Sequence, residues 1–207
     1  MFMALMSILI SCSAPLLGGK LGRLAGIHLR YPAVIMLALV VQVLITGVFA
    51  AAPKALLIAL HLATYVAAGV VLWANRALPG LIIIGIGAMT NAAVIALNGG
   101  TLPASARALA AAGWRAKDSN FANSSVVKHP VLPWLGDVVA TPSWMPFRNV
   151  VSVGDLTILL GVFVLVHSVT QSRVSLVWAH LVQPFRNHLK ADADRPQGEL
   201  TSDSPRA

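Results

Sequence analysis

The sequence predicts an all-α fold: a polytopic transmembrane helix bundle of about five spans with one long extracytoplasmic loop. Three observations predict it. The 207 residues are 57% apolar and only 11% charged, whereas a soluble domain carries about a quarter charged residues. Apolar stretches near the ~20 residues that cross a bilayer recur along the chain. Basic residues gather in the first loop and the C-terminal tail, an asymmetry that orients membrane proteins. Lipid offers no partner to a free backbone amide, so each stretch must be helical.

The first span is Met1–Leu17, which is short and relies on snorkelling ends or bundle packing. Within it "LISC" (Leu9–Cys12) resembles a lipoprotein cleavage box. The preceding "MFMALM" lacks the basic n-region of a signal peptide, so Cys12 reads as a buried residue of the span. It is the single cysteine, which excludes an internal disulfide. A loop with Lys20, Arg23 and Arg30 leads to the second span, near 33–51, which stops at Pro53 and Lys54. The third, near 55–73, ends in the polar turn "ANRALPG". The fourth lies near 79–97, a loop covers 98–149, and the fifth span lies near 150–170. These elements form one transmembrane domain over 1–171. Residues 172–190 are a basic juxtamembrane segment. There "SLVWAHLVQPF" (Ser175–Phe185) reads either as a short amphipathic helix on the inner surface or as a continuation of the fifth span. The polar segment 191–207 is expected to be disordered.

With five spans the first loop and the tail share a side. The tail carries Arg173, Arg186, Lys190, Arg195 and Arg206. Both segments are basic, which places them in the cytoplasm and the N-terminus outside. The 98–149 loop is then extracytoplasmic, despite its own basic residues, because long loops cross largely regardless of charge. The expected location is the bacterial cytoplasmic (inner) membrane. The net charge of +8 lies in loops and tail rather than on a soluble face, so the predicted partners are membrane lipids and a lipid-embedded or membrane-protein partner. No nucleic-acid recognition module, phosphate-binding loop or zinc motif is visible, and no metal or cofactor is expected.

The chain has seven acidic residues, and four fall in its last sixteen positions. Two of the others stand in Gly-Asp pairs, Gly136-Asp137 and Gly154-Asp155. Asp155 opens the fifth span. There a helix N-terminus stabilises a carboxylate by up to about 1 kcal/mol, and Ser152 is placed to cap. An acid deeper in the bilayer costs roughly 2.5–3.5 kcal/mol, which makes it a functional candidate. Asp137 lies in the apolar "PWLGDVVATP". If the two carboxyls meet, one holds a proton at neutral pH, and such a pair can activate water and protonate a leaving group. Asp137 and Asp155 are therefore the candidate catalytic residues. Asn91 and Asn98, two helical turns apart, lead into "NGGTLP" (Asn98–Pro103). The candidate binding residues are Asn91, Asn98, Gly99, Gly100 and Ser152. His61 and Tyr65 share a helical face, and with Gln42, Thr46 and His167 they read as interhelical hydrogen-bonding residues. Gly85, Gly87, Gly154 and Gly161 read as points of close helix approach.

"VSVGDLTI" (Val151–Ile158), preceded by "LGDVV", resembles the closing part of signal peptidase II, the lipoprotein signal peptidase. The resemblance implies an outward-facing catalytic dyad at Asp137 and Asp155. That family's Gly-Asn-x-x-Asp-Arg segment has no counterpart here. Gly18-Gly19, "NGGTLP", "LGDVV" and "SVGD" together resemble a bacterial membrane-protein family known as domain of unknown function 5317, over nearly the whole chain. That resemblance implies membership and no activity. Three functions stay open: a binding or scaffold module with an outward polar site, an intramembrane aspartyl hydrolase, and a small proton- or cation-coupled transporter.

Overall fold

The computed structural model describes residues 2–48, 52–113, 124–142, 144–145 and 147–177. Residues 178–190 of the juxtamembrane segment, and with them most of Ser175–Phe185, and the whole 191–207 tail lie outside the described residues, as does the side chain of Thr46.

The chain is mostly helical, with a helix at each of the five apolar stretches. These are α1 (Phe2–Leu16), α2 (Pro32–Val43, continued by a π turn at Leu44–Val48), α3 (Lys54–Ala74), α4 (Leu81–Leu97) and, last in the chain, α6 (Val153–Thr170). Pro32 opens α2, where its missing N–H leaves no hydrogen bond unmade. Among the described residues two helices are long and apolar enough to cross a membrane: α3, of mean hydropathy 2.2, and α6, of 1.9. The other three are apolar and shorter.

Helix α4 packs most extensively on α6. Around this pair α3 lies against α4, α2 against α3, and α1 against α6. Glycines set the α4–α6 distance. A Cβ on Gly87 would meet the Gly154 carbonyl, and one on Gly161 would stand 2.7 Å from the Ile84 amide. Gly85 instead faces α3, with Leu72 at 3.9 Å from such a Cβ. Polar groups tie the outer helices on. Ser13 Oγ lies 3.1 Å from His167 Nε2, joining α1 to α6. His61 Nδ1 lies 2.9 Å from Gln42 Oε1, joining α3 to α2.

Burial departs from that of a soluble domain. His61, Thr64, Asn91, His167 and Thr170 are buried beside Val71, Val94 and Ile95, while Leu37, Val66, Ile86 and Leu160 are exposed on the helices. Cys12, expected to be buried, is exposed on α1. Within the most apolar window of α3 only 17% of residues are buried.

The two ends of the bundle differ. At one end the Lys20 amide donates to the Thr170 carbonyl, the Arg173 amide donates to Leu17, and the Arg30 amide donates to Asn75 Oδ1. Lys20, Arg30, Arg76 and Arg173 therefore share that end. The described residues of the 98–149 segment cover the other end. That segment was expected as a plain loop, but its described residues hold β1 (Leu102–Pro103), α5 (Ala106–Ala111), β2 (Ser124–Ser125) and β3 (Asp137–Ala140). The fifth helix also starts later than expected, because Val150–Ser152 forms β4. β1 pairs in parallel with β2, β3 pairs antiparallel with β4, and an Ala104–Asp137 bridge links the two ladders. Ala104, Ala108, Leu109, Ala112 and Val150 bury one another beneath this cap. A second cluster, Val94, Ile95 and Leu102, seats it on α4.

Candidate functional site

The site is built on the first turn of α6. Ser152 adopts an extended conformation and caps the helix: its Oγ accepts from the Asp155 amide at 2.9 Å. Asp155 returns the contact, its Oδ2 accepting from the Ser152 amide at 3.3 Å. This capping box satisfies two otherwise unpaired amides and fixes where the helix begins. The β-branched pair Val150–Val151 before it continues as a strand for that reason.

Asn91 on α4 closes the arrangement. Its Nδ2 donates to Asp155 Oδ1 at 2.9 Å, and its Oδ1 accepts from Ser152 Oγ at 2.8 Å. Gly154 makes room for this, since a Cβ there would overlap the Asn91 side-chain oxygen. Asn91 and Ser152 are both buried, and all the contacts just described on the Asp155 carboxylate come from donors. The carboxyl thus stands at a helix N-terminus, where the first amides lack helical partners.

Asp137 arrives from the cap. It opens β3 directly opposite Ser152, and the register shifts between Asp137 and Val139. Such a bulge re-aims a side chain. Its carbonyl accepts from the Ser105 amide at 2.9 Å, and its Oδ2 accepts from Ser124 Oγ. Gly136 is needed for the approach, because a Cβ there would collide with the Pro103 carbonyl. Asp137 is 7% exposed. Burial pushes its carboxyl up to about 6; the Ser124 hydrogen bond opposes that push, and the charge of Asp155 adds to it. The charge of Asp155 is thus felt at Asp137, less than burial and the Ser124 hydrogen bond are.

Tyr65 on α3 lies within electrostatic reach of both carboxylates. Its ring meets His61 edge-on, with centroids 5.2 Å apart. The sequence pointed to Tyr65 only as a helix-packing residue. Ser124 was missed altogether, because nothing in "ANSSVV" marks the serine that reaches Asp137 across β1.

The sequence-predicted residues thus divide. Asp137, Asp155, Asn91 and Ser152 come together. Asn98, Gly99 and Gly100 do not join them. Asn98 ends α4 and is spent on the cap: its Nδ2 donates to Val94 and Val131 carbonyls at 2.8 and 2.9 Å, and its Oδ1 accepts from the Val131 amide at 2.8 Å. Gly99 and Gly100 take left-handed conformations, with φ of 65° and 87°, and the Gly100 amide returns to the Ile95 carbonyl. This is a Schellman turn, which closes α4 beneath the cap. Among the described residues no group of three or more His, Cys, Asp or Glu could hold a metal ion.

No curated protein and no solved structure matches the chain. The model of the family of unknown function DUF5317 matches residues 26–167, a range that contains the Asn-Gly-Gly turn and both Gly-Asp pairs, and the chain belongs to that family.

Proposed function

We propose that the chain is an integral membrane protein of five spans with an outward-facing binding site at the lipid boundary. The N-terminus is outside and the C-terminus in the cytoplasm. Exposed apolar side chains around buried polar ones support lipid as the surrounding solvent. The gathering of Lys20, Arg30, Arg76 and Arg173 at one end supports the orientation. Helices shorter than the hydrocarbon thickness are accommodated by bilayer thinning and snorkelling.

The observation that carries the functional reading is the strand pairing that sets Asp137 opposite Ser152, the residue that caps α6 together with Asp155. Asp155 is fixed by Asn91 and Ser152, and Asp137 takes up a proton near pH 6. Such a pair accepts a cationic or hydrogen-bond-donating group, which lowers the proton affinity of Asp137. The test uses a long-chain alkylamine as probe and the infrared carboxyl band of Asp137 as readout, in the purified chain in lipid nanodiscs. Binding is expected to shift the Asp137 titration downward, with no such band in Asp137→Asn. A titration that ignores saturating amine ends the reading.

One observation favours a second reading, an aspartyl hydrolase resembling signal peptidase II. The two acids are set up for different work: Asp137 as proton donor, Asp155 as acceptor. Purified chain would then cleave a lipid-modified signal-peptide substrate, and both Asp137→Asn and Asp155→Asn would lose that cleavage while still inserting. Activity retained in either variant excludes the dyad.

A further inference from the structure

A groove of about 550 Å³ runs between α3 and α4 on the face away from α6. Gly69 and Gly85 open it, Val66 and Met89 stand at its far end, and Trp73 and Arg76 lie at its mouth. The lining is apolar except at that mouth. Arg76 sits over the Trp73 ring, 4.7 Å from its centroid, and donates one hydrogen bond, 3.0 Å long, to the Trp73 carbonyl. A guanidinium has five N–H donors, so most face outward. The Arg30 backbone is held at the same end, because Asn75 bonds both its amide and its carbonyl, at 2.7 and 3.0 Å. Asp137 and Asp155 lie at the opposite end of the bundle and do not neutralise this pair.

We propose that the groove binds an anionic phospholipid of the cytoplasmic leaflet, its acyl chain in the groove and its headgroup on Arg76 and Arg30. The inference rests on the membrane orientation given above. From Val66 to the end of α3 at Ala74 the helix rises about 12 Å. The hydrocarbon core is about 30 Å thick, so the groove spans most of one leaflet and stops short of the midplane. Trp73 belongs at the headgroup level, where tryptophan anchors helices. The charge complement is then local: the Arg76 cation meets a phosphate where the apolar slot ends, with Arg30 on the same end of the bundle.

The test is native mass spectrometry of the full chain released from nanodiscs made of equal parts phosphatidylglycerol and phosphatidylcholine. Phosphatidylglycerol should be the retained lipid. Arg76→Gln should weaken its retention about fivefold, the factor set by one cation at an anionic surface, and Arg76→Lys should keep most of it. Gly85→Leu fills the slot and should release either lipid. Equal retention in all four proteins overturns the proposal, as does a second copy of the chain in place of lipid. Failure to enter the nanodiscs at all overturns the membrane reading and this proposal with it.

Discussion

The two ends of α6 solve the same problem with different chemistry. Both hold buried polar residues, and both leave backbone groups without helical partners. At the N-terminal end the partners are Ser152, Asn91 and a carboxylate, with a second carboxylate opposite. At the C-terminal end they are neutral. Ser172 returns its amide to the His167 carbonyl, its Oγ lies 2.8 Å from His167 Nδ1, and the Thr170 hydroxyl bonds the Val166 carbonyl. A neutral network is enough to close a helix end. Two acids at the other end are more than closure requires, and that excess marks the site.

The sharpest way to break the comparison is at the α4–α6 seam. Gly154→Val drives a side chain into Asn91 and the Gly87 carbonyl. It should cost about 3 kcal/mol in a detergent unfolding titration, the upper end for an overpacked core. Asn91→Leu comes next. It strips Asp155 Oδ1 and Ser152 Oγ of partners in a buried place and should cost about 2–3 kcal/mol by the same measurement.

Asp137→Asn separates the ends by pH. The Asp137 carboxyl keeps its proton to about 6 in the folded chain, against an ordinary value of 3.8. Between those values the folded state holds the extra proton, so stability falls as pH rises. The contribution is complete below about pH 4 and is lost through about 6, a change of about 3 kcal/mol at roughly 1.4 kcal/mol per unit. Unfolding titrations at pH 4 and 7 should show that slope in the natural chain and lack it in Asp137→Asn. The smallest effect belongs to the neutral end. Ser172→Ala removes one hydrogen bond to His167 and should cost about 1 kcal/mol.

Much of this was legible in the sequence. Apolar runs gave the helices, and Ser152 at three residues before Asp155 gave the cap. The start of α6 was not legible, because Val150 and Val151 are as apolar as the helix they precede, and only strand pairing with β3 distinguishes them. Asn91 and Asn98 fall on one face, yet two turns separate them by about 10 Å. That distance is enough for one to serve α6 and the other to serve the cap. Gly136-Asp137 was recognisable as unusual, but its partner Ser124 is set by a strand lying between them. The packing of Ala104, Ala108, Leu109 and Ala112 beneath the cap depends on small alanine-rich contacts that carry no periodic signal.

The central claim is that the charge of Asp155 at the α6 N-terminus is felt at Asp137. It is tested most directly by following the Asp137 carboxyl by isotope-edited infrared titration in lipid nanodiscs. The titration should fall near 6 in the natural chain and move downward in Asp155→Asn, where the neighbouring charge is gone. An Asp137 titration at the ordinary value of a free carboxyl, or one that Asp155→Asn leaves unmoved, would contradict it.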